Sequence, residues 1–169
     1  RAPTSGALSP GCSGELSETA PRRPTGALSG ESSEAVVDYG RCVIFLDVDG
    51  VLHSLYGEDI FRDGCCGLLE QIIRTTGARI VLSSTWRHEA AQVAMLDEML
   101  RSRGQLPIYD CTSDTGHREE EICEWLDGHP GVARWIAIDD QDLLCRASPA
   151  ASRLRRHFVR TDQETGLVL

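Results

Sequence analysis

The sequence predicts an α/β domain: a doubly wound parallel sheet held between two layers of helices. Three observations predict it. Short apolar runs of strand length alternate with longer stretches of helical periodicity, joined by short links, and that alternation packs helices on both faces of a parallel sheet. The run Val43-Ile44-Phe45-Leu46 is unbroken, as expected of a strand buried on both faces rather than one. Three of the strands end in polar residues, Asp47, Ser83-Ser84-Thr85 and Asp139-Asp140, which a parallel sheet gathers at one edge.

Residues 1–40 are rich in Ser, Gly, Pro, Ala and Thr, with no aromatic before Tyr39. Such a stretch buries too little apolar surface to offset the entropy of ordering it, so it reads as a disordered tail or linker. The folded domain is expected over 41–169, with room for one real core. Residues 41–47 form the first strand, and 53–64 a loop that holds Leu55, Tyr56, Ile60 and Phe61. Over 65–76, Leu68, Leu69, Ile72 and Ile73 recur at helical spacing, and Gly77 stands where a helix commonly ends. Residues 79–83 form a second strand, with Ile80-Val81-Leu82 buried. A second helix is expected over 88–103, with Val93, Leu96, Met99 and Leu100 on one side and Gly104 as its stop. A short strand at 108–111 precedes a third helix over 118–127, whose face is Ile122, Cys123, Trp125 and Leu126. Pro130 and Gly131 break the chain before a fourth strand at 135–138. A short helical piece is expected at 142–146 and a fifth strand at 157–159, ahead of a turn at Gly166.

The chain has 26 acidic and 17 basic side chains, a formal net charge of −9. That balance opposes non-specific nucleic-acid binding, which rests on cationic contacts to phosphate. The one local cationic patch is Arg146, Arg153, Arg155, Arg156 and Arg160, and a solvated helix face is its default reading. No apolar run approaches the roughly 20 residues that span a bilayer. Seven cysteines, an odd number, include no Cys-x-x-Cys pair. Zinc-finger spacing is therefore absent, and a reduced, intracellular and cytoplasmic setting is expected. The chain opens on Arg1, which reads as a truncated start. Nothing in the sequence speaks to oligomeric state.

The chemistry is concentrated at the strand ends. Packing does not call for an Asp at the end of a buried strand, and in open α/β sheets ligands sit beyond those ends. Asp47 and Asp49 flank one residue, so they offer hard oxygen ligands to Mg²⁺, or a nucleophile and a proton donor. An Asx-type turn at Asp-Val-Asp-Gly is the plainer alternative. Ser83 and Ser84 follow a buried strand and precede a helix, which suits a phosphate group and equally an N-cap. Arg118 opens the third helix, where the dipole disfavours a cation. A bound anion would explain it, as would an ion pair with Glu121 along the same helix. Adjacent Asp139 and Asp140 repel each other unless a cation or proton intervenes. An all-oxygen ligand set points to Mg²⁺ rather than zinc.

The stretch Phe45-Leu46-Asp47-Val48-Asp49-Gly50-Val51-Leu52 resembles motif I of the haloacid dehalogenase (HAD) superfamily. The resemblance covers 42–169 and implies a Rossmann-like three-layer fold. It also implies a phosphatase that works through an aspartyl-phosphate intermediate, with Asp47 as nucleophile and Asp49 as general acid/base. On the same pattern Ser83 is the motif II phosphate ligand, with Ser84 as fallback. Arg118 stands for the usual motif III lysine. Asp139 and Asp140 are motif IV, holding Mg²⁺ together with Asp47 and Asp49. The loops after Asp49 and Cys111 are too short for a cap domain, so the chain resembles a capless member. Residues 75–87, Arg118 with Glu121-Ile122 and Trp125-Leu126, and Asp139-Asp140 resemble the HAD domain of Swiss Army Knife RNA repair proteins. That implies trimming of terminal phosphates from RNA or DNA ends. Trp86 and Arg87 are candidate substrate contacts, a packed indole and a surface arginine being the default reading. The rival readings are a catalytically silent HAD-like binding or regulatory module and, more weakly, a receiver-type phospho-acceptor domain. The receiver type wants a late lysine, and this chain has no lysine at all.

Overall fold

A computed structural model describes residues 41–169. The tail expected over 1–40 lies outside the described residues. Among the described residues, five parallel strands form one sheet: β1 (Cys42–Leu46), β2 (Arg79–Leu82), β3 (Asp110–Cys111), β4 (Arg134–Asp139) and β5 (Phe158–Arg160). Their order across the sheet is β3-β2-β1-β4-β5. The helices are α1 (Asp63–Thr76), α2 (Ala90–Ser102), α3 (Arg118–Gly128) and α4 (Pro149–Leu154).

Alternation along β1 builds both cores. Ile44 and Leu46 join a core with Leu69 of α1 and with Leu96 and Leu100 of α2. Val43 and Phe45 join the other, with Ile122, Trp125 and Leu126 of α3 and Leu154 of α4. Phe45 presents its ring edge-on to Trp125 and Trp135, at 5.3 and 6.0 Å between centroids. This is the three-layer, doubly wound architecture that the alternation predicts, and it explains why β1 has no polar face. No cap interrupts it: neither helix nor strand lies between β1 and α1 or between β3 and α3. No helix among the described residues is long and apolar enough to cross a membrane.

The sheet order positions the site. The chain steps outward from β1 to β3, then returns to the other side of β1 for β4. That reversal opens a crevice at the carboxyl ends, between β1 and β4. Leu46 stands level with Leu82 and with Ile138, so Asp47, Ser83 and Asp139 leave the sheet together. The ladder continues one step further, with Asp47 N–H donating to Ile138 and Ser83 N–H to Leu46.

Two elements differ from expectation. Residues 142–146 form turns, not a helix; the helix lies later, over Pro149–Leu154. Its signal is local: the Ser148 hydroxyl accepts from Ala151 N–H at 3.0 Å, and Pro149 sits in the first turn, where its missing N–H costs nothing. The expected start at His88 falls inside a 3₁₀ turn, Thr85–His88, and α2 begins at Ala90. The basic stretch is exposed throughout but is not one helix face, since of its five arginines only Arg153 lies within α4. Arg146 pairs with Glu119, Arg153 with Asp127 and Arg160 with Asp142, which leaves Arg155 and Arg156 as its exposed members without such a pair among the described residues.

After β5 the chain folds back over the β1–α1 loop. Leu167 N–H donates to Val51 at 2.8 Å, and Leu55 N–H to Gln163 at 2.8 Å. Gly166 makes the return possible. Its φ is +69°, and a Cβ there would meet the Val51 carbonyl oxygen at 2.6 Å. Gly166→Ala is therefore expected to cost about 1–3 kcal/mol in urea unfolding. Gly67→Ala, in the open interior of α1 with nothing within 4 Å, should instead raise stability by about 0.5–1 kcal/mol.

Candidate active site

Three carboxylates meet in the β1–β4 crevice. Asp47, Asp139 and Asp140 are all buried, and an oxygen from each lies within 4.8 Å of the others. Arg118 reaches them from the first residue of α3. Its Nη1 stands 2.7 Å from Asp139 Oδ2 and 3.1 Å from Asp47 Oδ1. The helix dipole disfavours a cation at that end, but two buried carboxylates outweigh it. Arg118 is thus neither solvated nor paired with Glu121, as the helix spacing alone allows.

Burial raises the Asp47 carboxyl to about 7, with the charge of Asp139 adding to the rise and Arg118 and Ser84 opposing it. Burial likewise raises Asp139 to about 6, against the pull of Arg118. Burial alone would lower Arg118, yet Asp47 and Asp139 together drive it upward, so it stays charged. Three acids against one guanidinium leave negative charge in excess in a buried pocket lined by oxygen donors. That arrangement fits a hard divalent cation held by Asp47, Asp139 and Asp140.

Asp49 is not in that cluster, although it is one of the four expected metal ligands. Its Oδ2 accepts from Trp86 Nε1 at 2.9 Å, and its Oδ1 lies 2.9 Å from His53 Nε2. His53 is buried and its Nδ1 has no hydrogen-bond partner. A bare lone pair is easier to bury than a bare N–H, so the proton belongs on Nε2, donated to Asp49. Neither His53 nor this role for Trp86 has a signal in the sequence. Both depend on the turn at Gly50, whose φ is +68° and where a Cβ would stand 2.8 Å from Asp140 Cβ and Cγ.

The two serines divide their work. Ser84, rather than Ser83, is the serine that pulls the Asp47 carboxyl downward, and its hydroxyl caps the 3₁₀ turn by accepting from Trp86 N–H at 3.4 Å. The Ser83 hydroxyl is buried without a partner. Of the candidate substrate contacts, Trp86 is buried and Arg87 is half-buried with its side chain only 8 % exposed, so Arg87 is not the surface arginine of its default reading. Arg87 pairs with Glu121 at 3.1 Å and donates to the Ser84 carbonyl at 2.8 Å. The other Glu121 oxygen accepts from Thr115 and Gly116 N–H, so one carboxylate holds the β2 end against the loop before α3. Thr161, Gln163 and the Arg87 contact of Glu121 escape sequence reasoning because the partners lie far away in the chain. Thr161 Oγ1 donates to the Gly50 carbonyl at 2.8 Å, and Gln163 Nε2 to Asp140 Oδ2 at 2.9 Å.

Two outcomes follow from this geometry. Glu121→Ala leaves the largely enclosed Arg87 side chain with the exposed Asp114, at 3.5 Å, as its remaining acid partner among the described residues, and should cost about 3 kcal/mol in urea unfolding. Raised carboxyls bind more protons folded than unfolded. In chelator-treated protein their contribution is therefore present near pH 4 and lost as pH rises to about 7. Tm measured over that window should fall more steeply for the wild type than for Asp47→Asn.

Comparison with known proteins places the chain in a family. The model of the HAD domain in Swiss Army Knife RNA repair proteins matches residues 43–169. No curated protein and no solved structure shows a match. The match begins inside β1 and takes in every strand end that meets in the crevice, and the chain belongs to that family of HAD domains.

Proposed function

We propose that the protein is a Mg²⁺-dependent phosphohydrolase that forms an aspartyl-phosphate on Asp47 and acts on terminal phosphates of nucleic acid. The observation that carries this reading is the buried carboxylate cluster bridged by Arg118 at the switch point of the sheet. An isolated cluster of that kind costs stability, and phosphoryl transfer gives it a purpose. The family context, RNA repair, supports a phosphorylated nucleic-acid end as substrate. The free thiols support a reducing, intracellular setting.

An Asp47 oxygen attacks phosphorus, and the bond from phosphorus to the leaving oxygen breaks. Asp49, its carboxyl oriented by Trp86 and His53, passes its proton to that leaving oxygen. Water then attacks the phosphorus of the acyl phosphate. Asp49 takes the proton, and inorganic phosphate leaves with Asp47 restored. Arg118 and the serine hydroxyls, Ser83 Oγ being buried without a partner among the described residues, bind the phosphoryl oxygens. When bound by Asp47, Asp139 and Asp140, Mg²⁺ supplies the charge that lets a phosphate dianion approach a carboxylate.

A catalytically silent module is the rival reading, and one observation favours it: Arg118 already neutralises part of the cluster. The decisive experiment is phosphate release from p-nitrophenyl phosphate and from a 3′-phosphorylated oligonucleotide. Release is expected to require Mg²⁺ and to fall at least about 10³-fold in Asp47→Asn, since the nucleophile is lost. Folded protein that releases no phosphate from either substrate would favour the silent module.

A further inference from the structure

We propose that Tyr56 is a stacking platform for the base of the nucleotide whose phosphate enters the acidic crevice. The proposal rests on the reading of that crevice as a phosphate site. Tyr56 is 72 % exposed, yet it is held in place. Its hydroxyl donates to Gln163 Oε1 at 2.9 Å, and its backbone N–H to Ser54 Oγ at 3.2 Å. Gln163 extends its other amide atom to Asp140 Oδ2. One side chain therefore ties the exposed ring to the acid cluster, two hydrogen bonds away. A recess of about 590 Å³ lies between Tyr56, Gln163, Arg160 and Asp140.

Folding does not explain an exposed aromatic anchored in this way. Leu55 and Ile60, 43 % and 51 % exposed, extend the apolar rim beside it. The nearby cations are engaged. Arg160 pairs with Asp142 and donates to the Asp140 carbonyl, and Arg62 donates to the Glu164 carbonyl. Glu58, Asp59 and Glu164 add exposed negative charge. The rim thus offers no track for a run of backbone phosphates, but it does offer a flat π-face to one base. The unit recognised is a single nucleotide, its phosphate at the acids and its base on Tyr56. It is either a free nucleoside monophosphate or the last residue of a strand.

Binding is measured on the full chain in an Asp47→Asn background, so that no turnover intervenes. Probes are oligonucleotides phosphorylated at the 3′ or the 5′ end, each beside an analogue abasic at the phosphorylated residue, and adenosine monophosphate beside ribose phosphate. The base is expected to tighten binding about tenfold in at least one pair, and less than twofold once Tyr56→Ala is added. Tyr56→Trp should keep the preference, although it loses the bond to Gln163. Oligonucleotide binding tighter than mononucleotide binding assigns the site to strand ends, and equal binding assigns it to free nucleotides. The proposal is overturned if no pair shows a base preference, if Tyr56→Ala retains it, or if Tyr56→Trp loses it. Phosphate release by the chain with Asp47 intact is a separate readout. Its absence beside a Tyr56-dependent base preference would sink the hydrolase reading and leave the base subsite standing.

Discussion

The structure depends on burying three carboxylates at one strand edge. Each of Asp47, Asp139 and Asp140 is at least nine-tenths removed from solvent. Charges held so far from water are tolerated only with opposite charge and hydrogen bonds close by. Arg118 supplies the charge to two of them, while Gln163 donates a hydrogen bond to Asp140. The helix that delivers Arg118 must therefore start where the crevice is. It does so against the dipole, which marks the position as one chosen for the site rather than for the helix. What the protein's own groups leave uncompensated is negative charge in a pocket of oxygen donors, which is the property a cation and a phosphate would together use.

A second set of contacts keeps that edge in shape. Glu121 and Arg87 bind the end of β2 to the loop before α3 through one buried ion pair and three backbone hydrogen bonds. On the far side, the chain after β5 returns across the β1–α1 loop and reaches Gly50, Val51, Leu55 and Asp140. Neither helix nor strand stands between β1 and α1 to hold these loops. Here the final residues of the chain take that part, and their glycine at 166 admits a contact that any other residue would obstruct. The same return brings Gln163 under Tyr56, which links the scaffold of the acids to the surface a substrate would meet.

The division between local and distant partners explains what could be read in advance. The unbroken run at β1, the strand–helix alternation and the acidic strand ends are local patterns with one packing solution, so sheet, layers and crevice followed from them. The Asp47-Val48-Asp49-Gly50 turn and the Asp139-Asp140 pair are legible because packing alone does not call for an acid at the end of a buried strand. The helix at Pro149–Leu154 was missed although Ser148-Pro149 marks its start, because six residues carry too little periodicity to register. The helical spacing of Arg118 and Glu121 suggested a pair, yet each found a stronger partner across the fold.

By itself, then, the sequence determined the doubly wound sheet and the identity of the residues at its carboxyl edge, because period and strand ends are properties of neighbours in the chain. Only the tertiary structure decided that the Ser83 hydroxyl is buried without a partner among the described residues, that Asp49 is held by Trp86 and His53 apart from the acid cluster, and that Trp86 is buried while Arg87 pairs with Glu121. It also decided that Gln163 joins Tyr56 to Asp140. The reason is physical: each of these is a hydrogen bond or ion pair between side chains on separate segments. Its partner is chosen by the register of the sheet and the path of the final loop, and no spacing along the chain records either.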